Sequence, residues 1–184
     1  MTSFPIRVTC LLAGAIGLVM LSACSTAPDT RQGKADIEQE ARTALAKAKS
    51  SDPTLKNVLN SSAGYAVFPS VGKGAAGIGG AYGKGVLHEG GRAVGYCDLS
   101  QATIGLQLGG QSYTEIIAFE NQKAVNTFKE GNFRFDAQAT AVALKSGAGA
   151  NAQYANGVAV FTMDEAGLMY EASVGGQKFS YQAK

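Results

Sequence analysis

The stretch Gly64–Gly91, GYAVFPSVGKGAAGIGGAYGKGVLHEGG, decides how the rest of the chain is read. Tyr65-Ala66-Val67-Phe68 is an apolar, strand-like run that stops at Pro69, and beyond it glycine recurs at almost every second or third position. Glycine at that density lets backbone approach backbone or a ligand and permits positive φ, at an entropic cost that needs a structural return. Val71, Ile78, Tyr82, Val86 and Leu87 lie between the glycines, where a flexible linker would be polar. The segment reads as ordered, strand-rich and the centre of recognition.

Upstream the pattern is helical. Ala35–Lys49 carries Asp36, Glu38 and Glu40 early and Lys47 and Lys49 late, which complements a helix macrodipole. Ile37, Ala41, Ala44, Leu45 and Ala48 fall on one narrow face. That face is rich in alanine, so the helix is expected to pack on its own domain and not on a membrane surface, where bulky anchors and basic residues are the rule. Asp52-Pro53 starts a second helix running to about Ser61, with Leu55, Val58 and Leu59 inward.

Downstream the pattern is β. Ile104, Leu106 and Leu108 alternate with polar or small residues, Gly109-Gly110-Gln111 reads as a turn, and Ser112–Phe119 continues as a strand. Asn121 caps a short helix near 121–130, with Ala124, Val125 and Phe128 inward and Gly131 as its stop. Phe133–Ala143 is expected to be a strand, and Ser146–Gly157 a loop. Val158–Met163 and Leu168–Val174 are expected to form a hairpin about Asp164–Gly167, and a last strand follows near Lys178–Tyr181. Strands without regularly interleaved helices imply an α+β fold, an antiparallel β sandwich or partly closed barrel with two N-terminal helices and one short later helix.

Motifs for chemistry are present only as fragments. Gly72–Gly77 spells GxGxxG, but the glycines that follow would break the helix a dinucleotide site requires. Ser70-Val71-Gly72-Lys73 spells SxxK without the companion SDN and KTG elements of penicillin-binding enzymes. His88 is the single histidine, read as exposed beside Glu89 in a turn, and one histidine does not make a zinc site. No catalytic residue, metal or cofactor is assigned.

Arg7 followed by the uncharged run Val8–Leu21 has the form of a signal peptide, shorter than the ~20 residues of a spanning helix. Leu21-Ser22-Ala23-Cys24 resembles a lipobox, which implies cleavage after residue 23, acylation of Cys24 and an outer-membrane address, since Ser25 and not aspartate follows. Residues 24–34 then form the lipidated terminus and tether, and 35–184 the domain. Of the three cysteines, Cys97 alone would remain as a thiol, placed in an apolar stretch and expected to be buried and inert. Sixteen basic residues against fourteen acidic ones give no field for nucleic acid.

SAGYAVFP, KGAAGIGGAYGKGVL, ATIGLQLGGQSYTEIIAF and GLMYEASVGG occur in this order, and together they resemble the SYLF domain of bacterial lipoproteins and of eukaryotic trafficking and actin-patch proteins. The resemblance spans roughly Ala35 to Lys184. It implies a non-enzymatic module that binds membrane lipid, phosphoinositides in eukaryotic members, with actin binding in yeast ones. On that reading Lys73, Lys84 and Arg92 are candidates for an anionic head group, and Ile78 and Tyr82 for apolar lipid contact. The alternative is a protein-interaction or envelope-structural module with a protein partner.

Overall fold

The helices and strands follow from capping and alternation. The computed structural model describes residues 28, 30–76, 78–104, 111–131, 133–135, 140–164 and 171–184, with side chains excepted at 73–76, 78, 79, 103, 104, 111, 140, 164 and 171–173. Residues 1–27, with Cys24, lie outside these, as do 105–110 and the expected turn at 165–167.

Helix α1 runs Arg31–Ser51, four residues earlier than its charge pattern suggests, because the Thr30 side chain caps it by accepting from Gly33 N at 3.0 Å. The early acids therefore sit beyond the first turn, which holds no acidic residue, and the dipole argument loses force. The buried face is as expected: Ile37, Ala41, Ala44 and Ala48 are covered and Leu45 is half-buried against the domain. Helix α2, Leu55–Ser61, buries Leu55 and Leu59. Asp52 joins the two helices, its carboxylate accepting from Thr54 N at 3.0 Å and Thr54 Oγ1 at 2.6 Å.

Strands β1 (Gly64–Ala76), β2 (Ile78–Glu89), β3 (Arg92–Ile104) and β4 (Gln111–Phe119) are long and antiparallel to their neighbours. Pro69 does not stop β1. It sits in a bulge, where the register slips between Val67 and Ser70, and its carbonyl accepts from Thr114 Oγ1 at 2.8 Å. A bulge is the place in a ladder that tolerates a residue without N–H. Helix α3 (Gln122–Lys129) follows expectation closely: Asn121 caps it by accepting from Ala124 N at 3.0 Å, and Gly131 closes it at φ +70°.

The C-terminal part differs from expectation in two ways. Phe133–Ala143 is not one strand: Arg134 makes an isolated bridge to Lys178, and β5 is confined to Thr140–Ala143. Strands β6 (Val158–Asp164) and β7 (Glu171–Ser173) do not form a hairpin, because β5 lies between them, parallel to β6 and antiparallel to β7. Since β4 occupies the other edge of β6, no edge remains for β7. Strand β8 (Lys178–Ala183) completes a sheet of order β7-β5-β6-β4-β1-β2-β3-β8.

Four residues separate β7 from β8, yet the two occupy opposite edges of this eight-stranded sheet. Laid flat, those edges would stand about 33 Å apart, whereas the links from Ser173 to Lys178 reach about 18 Å at most. The sheet must therefore curl, and it does: Phe68 on β1 and Phe179 on β8 have ring centroids 5.8 Å apart although two strands intervene. The α+β class holds, with three α-helices among the described residues. The sheet is single, mixed and curled, and among the described residues its edges are not hydrogen-bonded into a closed barrel.

Each face of the sheet has its own core. Inside the curl, Phe68, Phe119, Phe128, Phe133, Phe135 and Phe179 pack in tilted and edge-on pairs at 5.0–6.4 Å, with α3 supplying Phe128. On the outside, α1 and α2 cover Tyr65, Val67, Val86, Tyr96, Ile116, Ala118, Phe161 and Met163.

Candidate functional site

The outer face of the sheet changes character where α1 ends its cover. Alternation along β2 puts Gly80, Tyr82, Lys84, Val86 and His88 on one face. Val86 belongs to the core under α1, whereas Tyr82 stands 50 % exposed and Gly80 is exposed. Ser70 and Gly72 on β1 and Ser100 and Ala102 on β3 extend the same face and are exposed too. A strip of small residues thus crosses three strands, with Tyr82 standing out of it.

Lys84 is held within this strip. Its register partner on β3 is Asp98, and the ammonium lies 3.2 Å from Asp98 Oδ1 and 5.9 Å from the centroid of the Tyr82 ring. Burial works against the Lys84 charge, but the hydrogen bonds to Tyr82 and Asp98 outweigh it and hold the ammonium above its ordinary value. Burial lifts the Asp98 carboxyl above the usual range, with Lys84 opposing. The pair is neutral overall and half-covered. A phosphate would have to compete with a carboxylate already in place.

Beside the strip, Ser70 Oγ lies 2.7 Å from Ser112 Oγ on β4. Ser70 also borders an open groove of about 430 Å³ between α1 and the β1 bulge, lined by Gln39, Thr43, Ala44 and Lys47 on the helix and Pro69 and Thr114 on the sheet. Ser70 is in mid-strand, not at a helix start, so the SxxK spelling does not assemble the penicillin-binding geometry. Gly72–Ala76 of the GxGxxG spelling lie within β1, not in a turn leading into a helix, which removes the pyrophosphate cradle.

The other candidates fall as follows. Lys73 pairs in register with Ala81 and Gln111, and Ile78 with Ile104, but the side chains of both lie outside the described set, as does Cys24. Arg92 is exposed at the β2–β3 turn, paired with Glu89, six residues along β3 from Asp98 and so about 20 Å from the Lys84 pair. Arg92 does not join the strip. His88 is not an exposed turn residue: it is 8 % exposed in β2, stacked on Tyr65 with centroids 5.0 Å apart and planes at 11°. Cys97 is fully buried and its thiol is pushed well up by burial. The sequence reading missed Asp98, Ser112 and the groove, because each depends on which strand or helix lies alongside.

What this arrangement can do is bind. The domain leaves a small-residue face and a groove uncovered on the outside of the curl. Residues 100–184 match the family described as Ysc84, Las17-binding protein actin regulator. The chain is also similar to the Beta cell expansion factor A of Aeromonas veronii, 27 % identical over 157 residues, covering 81 % of this chain. It spans 57 % of the length of that relative.

Proposed function

We propose that this protein is a non-enzymatic, membrane-anchored lipid-binding module of the bacterial envelope, anchored through an acylated Cys24 in the outer membrane. The observation that carries the lipid reading is the strip itself: exposed Gly72, Gly80, Ser100 and Ala102 around a protruding Tyr82 and the Lys84–Asp98 pair. Small residues let a bilayer surface approach the backbone, Tyr82 supplies an amphipathic contact suited to the interface, and an anionic head group would reach the Lys84 ammonium by displacing Asp98 from it.

Flotation of residues 25–184 with neutral and with anionic vesicles tests the reading. Expected is binding to anionic vesicles at low salt, weakened by screening and reduced several-fold by Tyr82→Ala. Equal absence of binding to both vesicle types would sink it. Palmitate labelling of the full chain against Cys24→Ala tests the anchor separately.

A second reading, a protein-interaction module, is favoured by the words of the family match, which name a binding protein and actin regulator. The same face would then dock a protein. Capture of one partner, unaffected by vesicles and lost in Tyr82→Ala, would support it over the lipid reading.

A further inference from the structure

We propose that His88 is a proton-sensitive latch that holds α1 on the sheet, neutral while the helix is docked and releasing it when protonated. The only histidine of the chain is 8 % exposed on the sheet face that α1 covers, its ring flat against Tyr65 of β1, which belongs to the core beneath that helix. Its Nδ1 is buried without a hydrogen bond, and the backbone of Val86 beside it favours a proton on the ring less than burial opposes it. A second proton on this ring would have to be carried in a place already stripped of water.

The groups facing it decide the sign. From α1, Arg42 and Lys49 oppose a charge on His88 and Glu38 favours it. Glu38 is already engaged, accepting from Tyr96 Oη at 2.8 Å and paired with Lys184 Nζ at 2.7 Å and Arg42 Nη1 at 3.9 Å. From β1 the neighbour is the Tyr65 ring, and the register partner on β3 is Ala93. On its own strand Glu89 is paired with Lys129 at 2.6 Å. Burial is the largest influence and depresses the imidazole below its ordinary 6.5. The docked state thus binds fewer protons than the released one, so docking is at full strength above about pH 6.5 and weakens as pH falls below it.

The grip being loosened is shallow. Ile37, Ala41, Ala44 and Ala48 are the buried residues of α1, and three of the four are alanine. Release would uncover Val67, Val86, Ile116, Ala118 and Phe161 on the sheet, all fully buried while the helix is docked.

Two measurements on the intact chain, purified without a histidine tag, test the latch. With a single histidine, the ring C–H resonance reports His88 without assignment. Its midpoint is expected below 6.5, and a midpoint at or above 6.5 overturns the proposal. Amide exchange, corrected for the intrinsic rate, is expected to show protection of residues 37–48 falling between pH 7 and pH 5 by up to about tenfold per unit, while β1–β4 keep theirs. In His88→Phe, which preserves the stack, α1 protection is expected to be flat with pH. Unchanged α1 protection in the wild type, or an equal fall in His88→Phe, overturns it. Vesicle binding enters neither measurement, so the latch and the lipid reading stand or fall separately.

Discussion

Asp52 shows how much of this fold rests on single side chains. It is fully buried, and its carboxylate accepts from Thr54 at the start of α2 and from Gly147 N at 3.2 Å and Gly149 N at 2.5 Å, ninety-five and ninety-seven residues away. Burial pushes the carboxyl up, but the hydrogen bonds from Thr54, Gly149 and Gly147 outweigh it and leave it below its ordinary 3.8. Its contribution is therefore present above about pH 4 and is lost as pH falls through the lowered folded value. Asp52→Ala leaves the N–H groups of Thr54, Gly147 and the buried Gly149 without this acceptor and is expected to cost about 3 kcal/mol in urea unfolding at pH 7. Cys97, buried on the inner face, is expected to resist a thiol reagent in the native chain and to react within the dead time once urea unfolds it. Prompt reaction of the native chain would mean that β3 is far more open than it stands. Neither Asp52's distant partners nor the burial of His88 could be read from the sequence, since both depend on contacts across the fold.

At the scale of elements, the glycines of β1 and β2 divide into two kinds. A Cβ at Gly85 would meet the Phe68 ring at 2.6 Å and Val67 O at 2.7 Å, and one at Gly83 would meet Val71 at 2.9 Å. One at Gly72 meets nothing within 4 Å. Gly85→Ala is accordingly expected to destabilise by about 2 kcal/mol through overpacking. Gly72→Ala is expected to leave the melting temperature unchanged or slightly raised. If Gly72→Ala folds normally but no longer binds vesicles, that glycine serves the exposed face and not the core.

The strand-rich character of this segment was legible in the sequence because alternation and glycine spacing are local properties, whereas the passage of β1 through Pro69 was not, since it depends on a bulge in the ladder. Legible too were α3, with its Asn121 cap and Gly131 stop, and the inward face of α1. The β6–β7 hairpin was not, because a turn-like stretch between two strands cannot reveal a third strand, β5, arriving between them. The candidate site was half legible: Tyr82 and Lys84 were found from their own segment, whereas Asp98 and the α1 groove needed the register and the packing.

At the scale of the molecule, the relation between β7 and β8 has consequences for how the domain comes apart. The two edges of the sheet are tied to each other by the backbone of residues 174–177, with Gln177 fully buried and donating from Nε2 to Glu115 Oε2 at 3.0 Å. The ring is thus completed by covalent bonds where a barrel would use a ladder of hydrogen bonds. A circular permutant opened between Val174 and Gln177 keeps every strand and nearly every side chain, yet frees the edges to part. It is expected to unfold at lower urea and with a shallower slope, because its native state would already expose part of the aromatic interior. An unchanged midpoint and slope would show that the Phe68–Phe179 packing alone keeps the sheet curled. In the intact chain, opening that interior needs β7 or β8 to leave the sheet first, so access to it is governed by the peeling of a terminal strand and not by the parting of two walls.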